Sequence, residues 1–422
     1  LTQHISHQLK DNSDIEQHNP FKGLVVAHAA VNSRMMTNPG RYLARFLVKE
    51  GVTLHFYASQ LPIGGWPPDH SVIESIGARF CGFPLPQYFA PFHELWSLIL
   101  LVFVLRRDKV DIIHTRGSVM GALGRVAAKL AGVPIIIHHQ DDLYCRDGNL
   151  SPMMKRFFAF IERSLAKLAD RLLFISQAVL DDAIAVGFPS DRCVLVGIDL
   201  HEVFQEAANE QVQSQEHVLS KFRSLGIPEN TKIVASVARL AKLKGHDIFI
   251  EAARSLADDF PDWVFVIKGN GPLREQLKTL IQQSGLENRV FMFTEELPFE
   301  ELPALYRCLD IFALPTRREG FGMVFMEAMA MGVPVIGPRI EPITEIIVED
   351  TGVLIEPENP KSLAEGLREL MINSDHRQQL ALKGQQHALA TWANQNAAQK
   401  ALDVYHNLII LARSKGSISI AE

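Results

Sequence analysis

The chain has 422 residues, of which 42 are Lys or Arg and 48 are Asp or Glu, for a formal net charge of −6. That length holds two or three domains with ample core, and the apolar and charged fractions are those of a globular protein. The mild acidity gives nucleic acid no electrostatic footing, so no nucleic acid partner is expected.

Residues 1–20 are polar and lack the apolar core of a secretory signal, so they read as a flexible tail. The start at Leu1 rather than Met leaves room for an upstream piece. Residues 23–30 read as a first strand, 39–50 as a helix with Leu43, Phe46 and Leu47 at helical spacing, and 52–58 as a second strand. The loop at residues 31–40 has a single glycine, Gly40, and is given no ligand contacts. Residues 95–105 are apolar apart from Ser97 and are followed by Arg106 and Arg107. They are too short for the roughly 20 residues that cross a bilayer, which leaves a buried helix or a helix lying on a membrane surface. Residues 153–168, with Lys155, Arg156, Arg163 and Lys167 among Phe157, Phe158 and Phe160, leave the same two readings.

Strands at 110–114, 132–137, 171–176 and 193–197, with a helix at 117–131, continue the alternation of a doubly wound first domain over residues 21–204. Residues 205–230 open on a run rich in Gln, Glu and Asn and read as a linker. A second alternation covers 231–395: strand 232–238, helix 247–257, strand 264–268, helix 273–283, strand 290–293, helix 300–308, strand 311–315, a helix carrying Glu327, and strand 333–336. Helices near Thr344, at 360–372 and through 376–413 follow, residues 396–422 being set apart as a C-terminal helix. Residues 1–200 hold 20 Lys and Arg against 18 Asp and Glu, so the first half is the side for an anionic partner. Four cysteines without paired spacing exclude a zinc finger or disulfide framework and fit a cytoplasmic protein.

Four segments carry chemistry. Glu319, Gly320, Phe321 and Gly322 join a strand to a helix, where glycines admit close backbone approach and free N–H groups favour anions or hydroxyls. Glu319 either caps that helix or meets a ligand. Glu327, on an apolar helix, needs a partner to be buried at all. Arg239 and Lys244 follow the carboxyl end of a strand, where two cations can clamp a diphosphate or merely decorate a loop. Gly269-Asn270-Gly271 has Arg274 where a dinucleotide fingerprint needs its third glycine, which excludes that reading. His138, His139, Asp141 and Asp142 close another strand, with Tyr144, Arg146 and Asp147 beyond; the histidines serve either as caps and core hydrogen bonds or as catalytic groups. No Asp-x-Asp occurs anywhere.

The run from Glu319 through Gly332, with two glutamates eight positions apart, resembles the retaining GT-B glycosyltransferases of family GT4 and their Glu-x7-Glu mark. The resemblance covers about 300 residues and is sharpest between Lys232 and Pro357. It implies an α/β fold of two Rossmann-like doubly wound domains facing across a cleft. The second domain would bind the nucleotide-sugar, and residues 396–422 would pack back on the first. It implies a retaining, metal-independent transferase moving a sugar from a nucleotide-sugar, taken as a UDP-sugar, to a hydroxyl of a glycan, lipid-linked glycan or other acceptor in bacterial polysaccharide or lipopolysaccharide synthesis. Arg239 and Lys244 would neutralise the diphosphate, Glu327 would take the ribose diol, and Glu319 with the N–H groups of Gly320, Phe321 and Gly322 would grip the sugar. Leu297 would touch the base and Gly269-Asn270-Gly271-Pro272 would be structural. No cofactor, metal or protein nucleophile is implied, retention resting on same-face attack assisted by the leaving phosphate. Ala238 replaces a family glycine, Val196 an asparagine before Gly197-Ile198-Asp199, and Asp141 the second histidine of a His-Thr-x-His element. The acceptor-side role therefore stays open between His139 and Asp141. A UDP-sugar epimerase and a catalytically silent sugar-nucleotide-binding subunit remain the alternatives, and sugar, nucleotide, acceptor, linkage and oligomeric state are unassigned. Contact with the inner face of a membrane through the first domain stays open with the two helix readings above.

Overall fold

The structure is a computed structural model that describes residues 19–30, 40–60, 71–83, 91–146, 148, 150–209, 215–394 and 396–418. Most of the expected N-terminal tail, residues 31–39 of the loop read from the sequence, and Asp147 lie outside the described residues. The chain divides into two compact units: Leu1–Phe174, Leu180–Val196 and Ala397–Glu422 form the first, Ile175–Val179 and Gly197–Asn396 the second.

The first unit holds strands β1 (Val25–Ala29), β2 (Thr53–Ser59), β3 (Arg79–Phe83), β4 (Ile112–Arg116), β5 (Ile135–Gln140), β6 (Arg171–Phe174) and β7 (Cys193–Leu195). All pairings are parallel, in the order β3-β2-β1-β4-β5-β6-β7. A parallel sheet is covered on both faces, which is why the Ile135-Ile136-Ile137 run is apolar without alternation and β5 is buried along its whole length. The short edge strand β3 has no counterpart in the sequence reading, because five residues of which only Phe83 is fully buried give little periodic signal. The C-terminal helix Asn396–Ser414 places Leu402, Tyr405 and Ile409 in this unit's core beside Val26, Leu54 and Ile112. Their spacing of three and four puts them on one stripe, and each fully buried large side chain contributes about 1.5–3 kcal/mol.

The second unit holds β8 (Lys232–Val237), β9 (Trp263–Lys268), β10 (Val290–Phe293), β11 (Ile311–Ala313), β12 (Val335–Pro338) and β13 (Val353–Ile355). These are again all parallel, in the order β10-β9-β8-β11-β12-β13. Both sheets are thus Rossmann-like and doubly wound, the order reversing between β1 and β4 in one and between β8 and β11 in the other. Residues 205–230 are not a plain linker. They take in most of helix Glu202–Asn209 and all of helix Glu216–Ser224. Phe204, Ala207, Val218 and Phe222 from these helices are buried in the second unit's core. Few apolar residues suffice there because they recur at three- and four-residue spacing.

Candidate active site

In open α/β sheets ligands bind beyond the carboxyl ends of the strands, at the point where strand order reverses. In the second unit that point lies between β8 and β11. The loop after β8 carries Arg239 and Lys244; the loop after β11 carries Glu319, Gly320, Phe321 and Gly322. The structure brings these loops together. Lys244 Nζ donates to Glu319 Oε1 at 2.5 Å, with both side chains largely buried. Gly245 takes φ +70°, and a Cβ there would stand 1.9 Å from the Pro315 carbonyl oxygen. Only glycine lets the loops approach so closely. Thr316 Oγ1 and the Arg317 N–H both donate to the Leu243 carbonyl, at 2.9 and 2.7 Å. Arg317 also donates to Asp247 at 2.9 and 2.7 Å. Thr316 and Arg317 were not singled out in the sequence, since nothing local marks a loop residue as a staple for another loop 70 positions away.

Arg239 is exposed and has no ion pair among the described residues. Its carbonyl is fixed from behind by His246, whose Nε2 lies 3.3 Å away. Burial drives that imidazole down to about 4, so it is neutral near pH 7 and adds no charge behind Arg239. The Gly269-Asn270-Gly271 turn packs against the same loop. Leu240 donates its N–H to the Asn270 carbonyl at 3.0 Å, and a Cβ on Gly269 would meet the Ala238 carbonyl at 2.0 Å. The turn is scaffolding for the Arg239 loop.

Gly322 precedes the helix Met323–Ala330 at φ +107°, and no side chain caps that helix. Glu319 therefore does not cap it; its carboxylate goes to Lys244. The first-turn N–H groups carry the positive end of the helix dipole. Further along, Glu327 is buried and accepts from the Tyr306 hydroxyl at 2.9 Å. Burial pushes its carboxyl up to about 7, against a partial pull downward from Tyr306. Tyr306 is the partner the sequence left unnamed, 21 positions away on another helix. Leu297 follows β10 and packs half-buried against the core. Its loop is held by Lys268, whose ammonium donates to the Glu295 carbonyl and lies 4.3 Å over the Phe293 ring.

His139 and Asp141 belong to the first unit, at the end of β5. Successive residues point to opposite faces. His138 lies at 2.9 Å from Thr115 Oγ1 and 2.9 Å from Gln140 Oε1, over Gly121. His139 goes the other way and stacks on His114 at 5.7 Å between centroids. It is 3% exposed and its Nε2 has no partner among the described residues. Burial, then Arg116, drives it down to about 3, against a lift from Asp141. Burial would raise the Asp141 carboxyl, but Arg116 outweighs it and the net direction is down. Arg116 Nε reaches both Asp141 oxygens at 3.0 and 2.9 Å, and the Asp141 side chain is 25% exposed. Of the two acceptor-side candidates, Asp141 is the one at the surface. Beyond it, Tyr144 is exposed and packs edge-on to Phe158, and Arg146 pairs with Asp182.

Among the described residues no cluster of three or more His, Cys, Asp or Glu side chains is placed to hold a metal ion. The four cysteines are free.

Comparison with known proteins adds the following. The profile "Glycosyl transferases group 1" matches residues 219–387, and "Glycosyl transferase 4-like domain" matches residues 40–199. The chain is 30% identical over 308 residues to D-inositol 3-phosphate glycosyltransferase of Corynebacterium glutamicum, covering 68% of this chain and 71% of that one. It is 30% identical over 253 residues to UDP-Gal:alpha-D-GlcNAc-diphosphoundecaprenol alpha-1,3-galactosyltransferase of Escherichia coli, covering 58% of this chain and 62% of that one. Across curated relatives of this kind the chain spans from 42% to 72% of their length. Among solved structures, Anabaena HepE in complex with UDP-glucose superposes with a TM-score of 0.74 at 18% identity, over 91% of this chain and all of that one. That likeness is one of fold.

Proposed function

Since this chain belongs to the GT-B glycosyltransferases of the GT4 type, we propose that it moves a sugar, with retention, from a UDP-sugar to a hydroxyl of a glycan or glycolipid acceptor. The observation that carries the reading is the Lys244–Glu319 pair and Arg239, without an ion pair among the described residues, at the β8/β11 reversal, beside an uncapped helix start. UDP is favoured as carrier because the Escherichia coli relative is named for UDP-Gal and HepE was solved with UDP-glucose.

In this reading the diphosphate lies on Arg239 and Lys244. Charge grows on the leaving oxygen as the glycosidic bond breaks, and fixed cations and peptide dipoles stabilise it without reorganising, a contribution of about 10²–10³ in rate. A metal ion is not required. Glu319, held in place by Lys244, and the N–H groups of Gly320, Phe321 and Gly322 hold the sugar hydroxyls. Glu327 receives the ribose diol; two O–H donors favour its ionised form, so binding drives its proton off. Leu297 lies against the base. Asp141, oriented by Arg116, is the polar group offered to the acceptor, and His139 stays behind it as a neutral ring. The test is incubation with a panel of nucleotide-sugars and glycan or polyprenyl acceptors, with products resolved by mass spectrometry. A new glycoside with retained configuration and full activity in EDTA is the expected result. Epimerised donor without any acceptor, or binding without turnover, would replace this reading with another.

A further inference from the structure

The first unit carries a surface that the glycosyl-transfer reading does not use. Helix Pro91–Arg107 exposes Phe92, Leu95, Trp96, Ile99 and Phe103, with Phe92 88% and Trp96 56% exposed. Those positions fall on one stripe of a helix. Ser97, Leu101 and Leu105 face the other way and are buried, so the stripe is not a core face turned out by chance. The helix is fixed at its end. Asp108 accepts from the Tyr57 hydroxyl at 3.0 Å and from Arg107 at 2.7 and 2.9 Å.

Helix Pro152–Ala166 repeats the pattern. Met153, Phe157 and Phe160 are exposed on one stripe, with Arg156, Arg163 and Lys167 along its edge. Helix Ser118–Ala131 packs against both and adds exposed Lys129 and Leu130. Arg106 donates to the Leu130 carbonyl at 2.6 Å. The exposed charges on these three helices are all cationic; their acids, Glu94 and Glu162, are half-buried.

We propose that this face docks on a lipid bilayer with anionic headgroups, the aromatic stripes entering the boundary between headgroups and acyl chains while the cations meet lipid phosphates. An interfacial surface needs both features side by side: apolar area to insert and cations at its edge. A second copy of this chain fits poorly, because self-pairing would set cations against cations. Among the described residues no helix is long and apolar enough to cross a membrane, so the contact is on the surface. The inference is independent of the sugar-transfer reading and stands or falls separately.

Flotation of the full chain with vesicles of phosphatidylcholine, with and without phosphatidylglycerol, tests it. Binding is expected to the anionic vesicles only and to weaken with salt. Each cation near an anionic surface is worth about fivefold in partitioning, so Arg156→Ala with Lys167→Ala should cut it by about 25-fold. Trp96→Ser with Phe103→Ser should abolish it at an unchanged melting temperature. Brominated acyl chains should quench a fluorescence that Trp96→Phe removes. No partitioning at any composition, or partitioning indifferent to both double variants, overturns the proposal. So does a dimer that these variants dissolve without lipid.

Discussion

The end of β5 in the first unit and the β8/β11 reversal in the second are both polar ends of parallel sheets, yet they are built on opposite plans. Around β5 the polar groups largely satisfy one another: His138 with Thr115 and Gln140, Asp141 with Arg116, His114 and His28 with the Tyr405 hydroxyl at 3.0 and 3.2 Å. At the reversal, the loops are stitched by backbone while Arg239 and a helix start are left open. The first plan makes a rigid wall. The second holds positive charge ready for an anion.

Acid should break the wall first, with the largest effect. Burial holds His28 at about 4 and His139 at about 3, and drives His114 and His138 well down. Groups kept neutral in the fold but protonated in the unfolded chain contribute stability above about pH 6.5 that is lost as pH falls toward their folded values. Folding stability should therefore drop steeply below about pH 6, by several kcal/mol in total, read as a falling melting temperature. A flat profile down to about pH 4 would show that the wall does not depend on neutral imidazoles.

Next come the charges at the reversal. Lys244→Ala and Glu319→Ala should each lower kcat/KM for sugar transfer by about 10²–10³, read from product formation. Circular dichroism should report an intact fold. Glu327 should behave in the sense opposite to the histidines. Its carboxyl is raised to about 7, so its burial favours the fold below about pH 4.5 and the advantage is lost as pH rises through 7. Glu327→Gln should raise stability by about 3 kcal/mol at pH 8, with no gain at pH 4, while weakening donor binding. The smallest expected effect is Gly121→Ala. A Cβ there would stand 2.5 Å from His138 Cε1, so His138 must shift, at about 1–3 kcal/mol in chemical denaturation.

The same contrast explains what could be read without coordinates. Glu319, Gly320, Gly322, Arg239 and Lys244 are legible because a backbone that must approach a ligand leaves a local signature: glycines and charges at fixed spacing after apolar runs. The two sheets are legible for the same reason, through their buried runs. Tyr306, Arg116, Thr316 and Tyr405 are not. Each acts on a residue 21 to 377 positions away, or on a backbone carbonyl, and periodicity carries no trace of such a pairing. Residues 205–230 misled because polar composition hid the core side chains Ala207, Val218, Phe222 and Ile227.

The central claim is that fixed side-chain cations hold the diphosphate. Arg239 tests it best, being exposed and without an ion pair among the described residues, so its removal leaves the fold untouched. Titration calorimetry of UDP into the wild-type chain and Arg239→Ala, in EDTA, should show tight binding by the first and a loss of about tenfold or more in the second. Equal affinities, or binding that EDTA abolishes, would contradict the account.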